Sequence, residues 1–387
     1  MVLSGIILQV VSMDDKQIVA IGTYGPEETH NLRLIEISGH GAGIRQTSAV
    51  SAGINPSYAC PSADGRWLYV VNEKNRKSHG SYGVIKTYAI DDETYSLTYV
   101  SEIETRGDDP CYMAETLDRN FLIAVNYGSG SVIVIAKDEN GVLQDIIHKT
   151  LLMGFGPNRK RQQGAHPHWV TFSPDGDYVY ITDLGSDRIW IFTMTFDGKL
   201  RAADIPAVLM PPGSGPRALV FDSEKGIAFS LNELSSTITP FRYEKETGML
   251  HSHKAISTLP EGFRGHNTAS EIHLHDQTIV ASNRGHNSLV FIQYEDTGFK
   301  NDPVWVESGG KIPRSFSICS DSDGSSAYIV AANRNSDSIV IFDMVPMGVW
   351  PVRELKITAP SCVRLVRTIA GIKAEDGEQS QPADEIT

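Results

Sequence analysis

The sequence predicts an all-β chain closed into a seven-bladed propeller with four antiparallel strands per blade, and two observations carry that prediction. Seven short apolar strands each end in a polar couplet: Gly22-Thr23, Asn72-Glu73, Asn126-Tyr127, Asp183-Leu184, Asn232-Glu233, Asn283-Arg284 and Asn333-Arg334. Their first residues stand 50, 54, 57, 49, 51 and 50 positions apart, close to one four-stranded blade and too long for most helical repeats. The second observation is that no run shows long helical periodicity, whereas short β-branched and aromatic stretches alternate with turn signals throughout.

Each repeat follows one internal order, clearest between Pro167 and Thr195. A strand, His168 to Phe172, meets the turn Ser173-Pro174-Asp175-Gly176. A second strand, Tyr178 to Ile181, and a third, Arg188 to Phe192, follow. Proline, aspartate and glycine supply the turn geometry, and β-branched and aromatic residues fill the pleats. Related openings recur at Asn55-Pro56, Asp109-Pro110, Gly215-Pro216 and Ile312-Pro313. In the first three, as at Pro167, the proline precedes its couplet by 16 residues; the last is stretched to 20 by the Ser/Asp-rich insert around Asp321 to Gly324. The apolar segments Ile6 to Val11 and Val363 to Val366 are left over at the two ends, and a closed ring can use both to complete one sheet without an open edge.

Composition agrees. The 387 residues read as one propeller domain over 1–371 followed by an acidic tail over 372–387, expected to be disordered because it lacks core formers. Four widely separated cysteines, Cys60, Cys111, Cys319 and Cys362, form no CxxC pair and point to a reducing, cytoplasmic setting. The apolar stretch near the N-terminus lacks a basic flank and meets Asp14-Asp15, unlike a secretory signal, and nothing reaches membrane-spanning length. A net charge of −13 argues against nucleic acid as a partner. The expectation is a monomer or weak homodimer that binds neither nucleic acid nor membrane and needs no cofactor.

In an antiparallel blade the start of the first strand and the end of the second lie at the same rim. The position after each opening proline gives Ser57, Cys111, His168, Arg217 and Arg314, and the couplets give Glu73, Asp183, Glu233, Arg284 and Arg334. Taken singly, each is more often structural, since Asn and Asp cap strand ends and rim arginines form surface ion pairs. Their coincidence on consecutive blades favours a small-molecule site at one mouth of the channel. His168, Arg217, Glu233 and Arg284 supply a proton carrier, a carboxylate and two fixed cations, a set suited to an anionic substrate whose oxygen gains charge during reaction.

At these residues the chain resembles the seven-bladed lactonase propellers, which include bacterial 6-phosphogluconolactonases and fungal carboxy-cis,cis-muconate cyclases. The resemblance runs through Ile21-Gly22-Thr23-Tyr24, Asn55-Pro56-Ser57-Tyr58, Asn126 to Ser131, Arg161-Gln162, His166-Pro167-His168, Asp183 to Arg188, Gly215-Pro216-Arg217, Leu231 to Ser236, Ala281 to His286 and Ala332 to Asp337. It implies a catalytic set of His168, Arg217, Glu233 and Arg284; Arg161, His166, Asn126, Asn232, Glu271 and Arg334 are expected beside them as substrate-binding positions. Two departures stand out: His275-Asp276-Gln277 replaces the usual Pro-Asp-Gly turn, and the loop Arg159-Lys160-Arg161 is unusually basic. The implied reaction is metal-independent hydrolysis of a small anionic sugar lactone, similar to 6-phosphogluconolactone. Arg217 and Arg284 would hold carboxylate or phosphate and stabilise the oxyanion, and His168 is the preferred proton carrier with Glu233 orienting it or activating water, the reverse assignment staying open.

Five other readings are weighed against this one. A lactonising cyclase would use the same site. A calcium-dependent lactonase would need oxygens from Glu73, Asn126, Asp183, Asn232 and Glu271, and zinc would need a third ligand beside His166 and His168. Cys111 at the rim would serve as a nucleophile only if it escaped the usual fate of a small buried residue. A protein-binding propeller would carry exposed aromatic anchors and a catalytically empty channel.

Overall fold

The computed structural model describes residues 15–370, apart from 27, 28, 297, 325, 346 and 347. Seven antiparallel sheets follow one another, each built from strands consecutive in sequence except at the closure. There the C-terminal strand Pro360–Ile369 pairs with Lys16–Thr23, which continues outward to Leu32–Ser38 and Gly43–Val50. We call this blade one. Blades two to seven open with the inner strands Pro56–Pro61, Pro110–Glu115, Pro167–Phe172, Pro216–Asp222, Thr268–His275 and Pro313–Ser320. Each inner strand touches the next around the ring, and Pro360–Ile369 contacts those of blades two and seven. The expected closure is present, with Val363 to Val366 inside its final strand. Its N-terminal partner is Lys16–Thr23; Ile6 to Val11 and the tail at 372–387 lie outside the described residues.

The blades stack through apolar faces. Tyr69, Tyr180, Tyr328, Phe229, Phe241, Phe316 and Phe342 are fully buried among β-branched neighbours, and burying each such ring contributes roughly 2–3 kcal/mol. The tyrosine hydroxyls donate onward, Tyr69 to Gly141 O at 2.6 Å, Tyr180 to Gly248 O at 2.6 Å and Tyr328 to Gln17 Oε1 at 2.8 Å, so none of these three buried hydroxyls is left unmet. The departure at His275 to Gln277 is a tight hairpin: His275 pairs with Thr278, and Asp276 and Gln277 adopt φ of 44° and 57°, the geometry of a two-residue turn that Asp tolerates.

Two local features shape the channel. The residue before the opening proline has positive φ at Asn55, Asp109, Gly215 and Ile312, as does Ala359 before Pro360. Its carbonyl accepts the backbone N–H of the second couplet residue, as in Glu73 to Asn55, Tyr127 to Asp109, Glu233 to Gly215 and Arg334 to Ile312. Immediately afterwards every inner strand carries an irregularity: Pro56 pairs with Asn72 while Tyr58 pairs with Val71, the same step recurs in five other blades, and in blade six the shift spans Ala269 to Ile272. Such a bulge re-aims the extra side chain. The extra residues Ser57, Cys111, His168, Arg217, Arg314 and Ser361 stand with Ser270 around one narrow cavity of about 20 Å³ in the channel, room for a single water-sized group.

Candidate active site

Glu233 is the hub of the charged residues at the mouth. It is 1% exposed, and its backbone is fixed by the bond to Gly215 O. Its Oε2 accepts from Arg217 Nη1 at 2.7 Å and lies 2.9 Å from Arg284 Nη2, and its Oε1 accepts from Arg161 Nη2 at 2.7 Å. The arginines are held in turn. Arg217 Nε donates to Ser270 O at 2.6 Å, Arg284 Nη2 to Ala269 O at 3.1 Å, and Arg161 Nη2 also reaches the Tyr127 hydroxyl at 3.3 Å. Burial by itself would raise the Glu233 carboxyl, but Arg284, Arg217 and Arg161 outweigh it and hold the group well below the usual carboxylate range. Burial draws Arg284 down to about 10, with Glu233 opposing that fall, so it is still protonated at neutral pH.

His168 lies on the same side. Its Nε2 accepts from Arg217 Nη1 at 2.5 Å, which leaves Nδ1 carrying the ring proton. Burial, then the Arg217 charge, pushes its pKa well below 6.5, so the imidazole is neutral. Glu233 does not bond His168 directly, as an orienting carboxylate would: Arg217 stands between the two and bonds both. The four carried-over residues do meet, and they do so in a desolvated cluster.

The remaining expected positions divide. Arg161 joins the cluster from the loop between blades three and four, which the buried Gln162 anchors through Nε2 to Leu184 O at 2.9 Å. His166 stacks on Tyr127 with ring centroids 4.4 Å apart, its Nδ1 2.8 Å from Tyr127 O. Glu271 pairs deeper in the channel with Arg364 at 3.2 Å. Asn126 and Asn232 do not face the channel chemistry: they are buried in their blades, Asn126 Nδ2 bonding Ser131 Oγ and Asn232 Nδ2 bonding Thr237 and Thr239. Asp183 is likewise used inside its blade, accepting from the His166, Gly185 and Ser186 amides. Cys111 is buried, which raises its thiol and keeps it protonated, the opposite of an activated nucleophile. Among the described residues no cluster of His, Cys, Asp or Glu is placed to hold a metal ion.

A second charged group was only partly visible in the sequence. Across the ring, Tyr24 of blade one donates its hydroxyl to Glu73 Oε2 of blade two at 2.8 Å. Arg314 and Arg334 of blade seven lie over the same Tyr24 ring, 5.0 and 5.1 Å from its centroid. Arg314 Nη2 reaches Glu73 Oε2 at 3.3 Å. Tyr24 was missed because the first couplet is one residue later than read: Thr23 pairs with Pro360 as Asn72 does with Pro56, and Tyr24 N–H bonds Ala359 O as Glu73 N–H bonds Asn55 O. The corrected spacing to Asn72, 49 residues, matches the shortest of the other intervals and was the available signal.

A closed seven-bladed ring whose chemistry is gathered at one channel mouth defines a class of small-molecule propellers. The chain belongs to one family of that class, the lactonase seven-bladed β-propellers, whose description matches residues 18–364. It is 26% identical over 333 residues to a 6-phosphogluconolactonase of Bacillus subtilis, covering 85% of this chain and 91% of that protein. An uncharacterised protein of Lactococcus lactis is 30% identical over 332 residues, 84% and 92% of the two chains. Among solved structures, a periplasmic gluconolactonase of Pseudomonas aeruginosa superposes with a TM-score of 0.82 at 28% identity, covering 91% of this chain and 99% of that one.

Proposed function

We propose that the protein hydrolyses a small anionic sugar lactone, similar to 6-phosphogluconolactone, by metal-independent acid/base chemistry in the Glu233 cluster. The observation that carries this reading is one buried carboxylate held by three arginines, beside a neutral histidine, in a family named for lactone hydrolysis. The relatives named 6-phosphogluconolactonase and gluconolactonase support the substrate class.

Hydrolysis adds water to the lactone carbonyl and breaks the ring C–O bond, so negative charge moves first to the carbonyl oxygen and then to the leaving alkoxide. Arg217 and Arg284 are fixed donors for that charge, preorganised in a water-poor site where such donors act strongly. Between the two candidates for base, the geometry favours Glu233, which is ionised, over His168, whose free lone pair already accepts from Arg217. The oxyanion that develops on the carbonyl draws on the arginines that hold Glu233 and thereby raises its pKa, so that it can take the water proton and return it to the alkoxide. His168 holds Arg217 in place. Four free cysteines support a cytoplasmic setting, while the Pseudomonas relative is periplasmic by name, so the family is not confined to one compartment. Among the described residues no helix is long and apolar enough to cross a membrane.

The test is a rate assay of purified protein with 6-phosphogluconolactone, unphosphorylated gluconolactone and a carboxymuconate, before and after dialysis against EDTA. Hydrolysis of a lactone that survives EDTA is the expected result. Turnover of the muconate alone would make the protein a cyclase, and loss restored by calcium or zinc would overturn the metal-independent mechanism.

A further inference from the structure

We propose that Tyr24, Arg314 and Arg334 form a second anion subsite across the channel mouth from Glu233, which grips the charged group of the substrate remote from its lactone ring. This deepens the lactonase reading and rests on it for the identity of the substrate. The argument begins with which donors remain available. On the Glu233 side, Arg217 uses Nε on Ser270 O and Nη1 on His168 and Glu233, and Arg284 uses its Nη2 on Ala269 O and Glu233. Those guanidiniums are committed to the carboxylate and the backbone, which leaves few edges for a phosphate.

The other side differs in kind. Arg334 is exposed and makes no ion pair among the described residues; its side chain lies over the Tyr24 ring. Arg314 shares Glu73 at a long 3.3 Å, and its buried Nε has no hydrogen-bond partner. A cation–π contact of this kind spends no N–H on a hydrogen bond, so the donors of Arg334 stay available for an oxyanion, which a guanidinium reads in bidentate fashion. Tyr24 is itself fixed by its bond to Glu73, and burial, foremost, raises its phenol so that it remains a donor there. The ring is therefore a rigid platform that orders two cations, and its contact with them uses none of their donors. Of the two arginines only Arg314 pairs with Glu73, so Arg334 brings a cation that no carboxylate among the described residues bonds directly. The two groups occupy opposite arcs of the ring, blades three to six against blades seven, one and two, so a substrate lying across the mouth has its reacting carbonyl at one and its anionic end at the other.

The group gripped is a phosphate or a carboxylate, and the experiment separates them. Arg334→Ala and Tyr24→Leu are assayed with 6-phosphogluconolactone, with an equivalent lactone bearing a carboxylate, and with uncharged gluconolactone. The expected result is a fall of tenfold or more in the ratio of kcat/KM for a charged lactone to that for the uncharged one, carried by KM. Whichever charged substrate shows the fall names the anion. If wild-type protein hydrolyses none of them, the lactonase reading fails while the subsite is still decided by calorimetric titration with inorganic phosphate and 6-phosphogluconate, binding that Arg334→Ala weakens at least tenfold. An unchanged ratio in both variants, or unchanged anion binding where no lactone turns over, overturns the subsite.

Discussion

The two residues of each couplet are neighbours in the chain, yet they do opposite work. The first position holds Thr23, Asn72, Asn126, Asp183, Asn232, Asn283 and Asn333, all buried. Their side chains bond local backbone and hydroxyls, for example Asn72 Nδ2 to Ala52 O at 2.8 Å and Asn333 Nδ2 to Ser308 O at 2.7 Å. The second position holds Tyr24, Glu73, Tyr127, Leu184, Glu233, Arg284 and Arg334, and most of these meet residues of other blades at the mouth. Strand alternation explains the split, since successive side chains leave on opposite faces. A repeat position that stays uniform serves the fold, and one that varies from blade to blade is where chemistry is written.

Glu233 breaks the division most severely, because a variable residue here is also buried. Glu233→Gln leaves three guanidiniums facing no counter-charge; the expected outcome is loss of turnover together with destabilisation on the order of 3–5 kcal/mol, read by thermal melts and lactone assays on the same sample. A variant that melts like wild type would show that the arginines are hydrated and not dependent on Glu233. Arg284→Lys is a cleaner second-position test. It keeps the charge but loses the fork, so turnover should drop about a hundredfold, roughly 3 kcal/mol, at nearly constant melting temperature.

The pH dependence sharpens the comparison next. His168 is neutral when folded because burial and Arg217 depress its pKa, whereas the unfolded residue titrates near 6.5. Its contribution is therefore present above 6.5 and lost as pH falls, at up to about 1.4 kcal/mol per unit until the folded value is reached. His40 works in the opposite sense: burial lowers it, but Asp343 and Asp321 win and raise it, so its contribution is kept at low pH and lost as pH rises. The difference between wild type and His168→Gln, melted from pH 7 down to 5, isolates the first effect, and parallel curves would refute a neutral buried His168. The smallest effect belongs to the uniform position. Asn333→Ala removes the bond to Ser308 O and should cost on the order of 1 kcal/mol in denaturant melts, with turnover per folded molecule unchanged; a selective loss of turnover would erase the distinction between the two positions.

The propeller was legible because its signals are local. Turn residues, the polar couplets and the proline sixteen residues upstream are each set by backbone geometry within one blade, and repetition made them readable without any contact map. The convergence of His168, Arg217, Glu233 and Arg284 was legible for the same reason, since equal positions in equal repeats share a rim. Tertiary structure alone decided what those groups are. Burial and the placement of Arg217 between His168 and Glu233 make the imidazole a neutral acceptor and the carboxylate a desolvated hub. It also decided that Asn126 and Asn232 face their own blades and that Tyr24 carries two arginines from blade seven. Hydrogen-bond partners, desolvation and stacking depend on residues hundreds of positions apart, and only the closed ring fixes those distances.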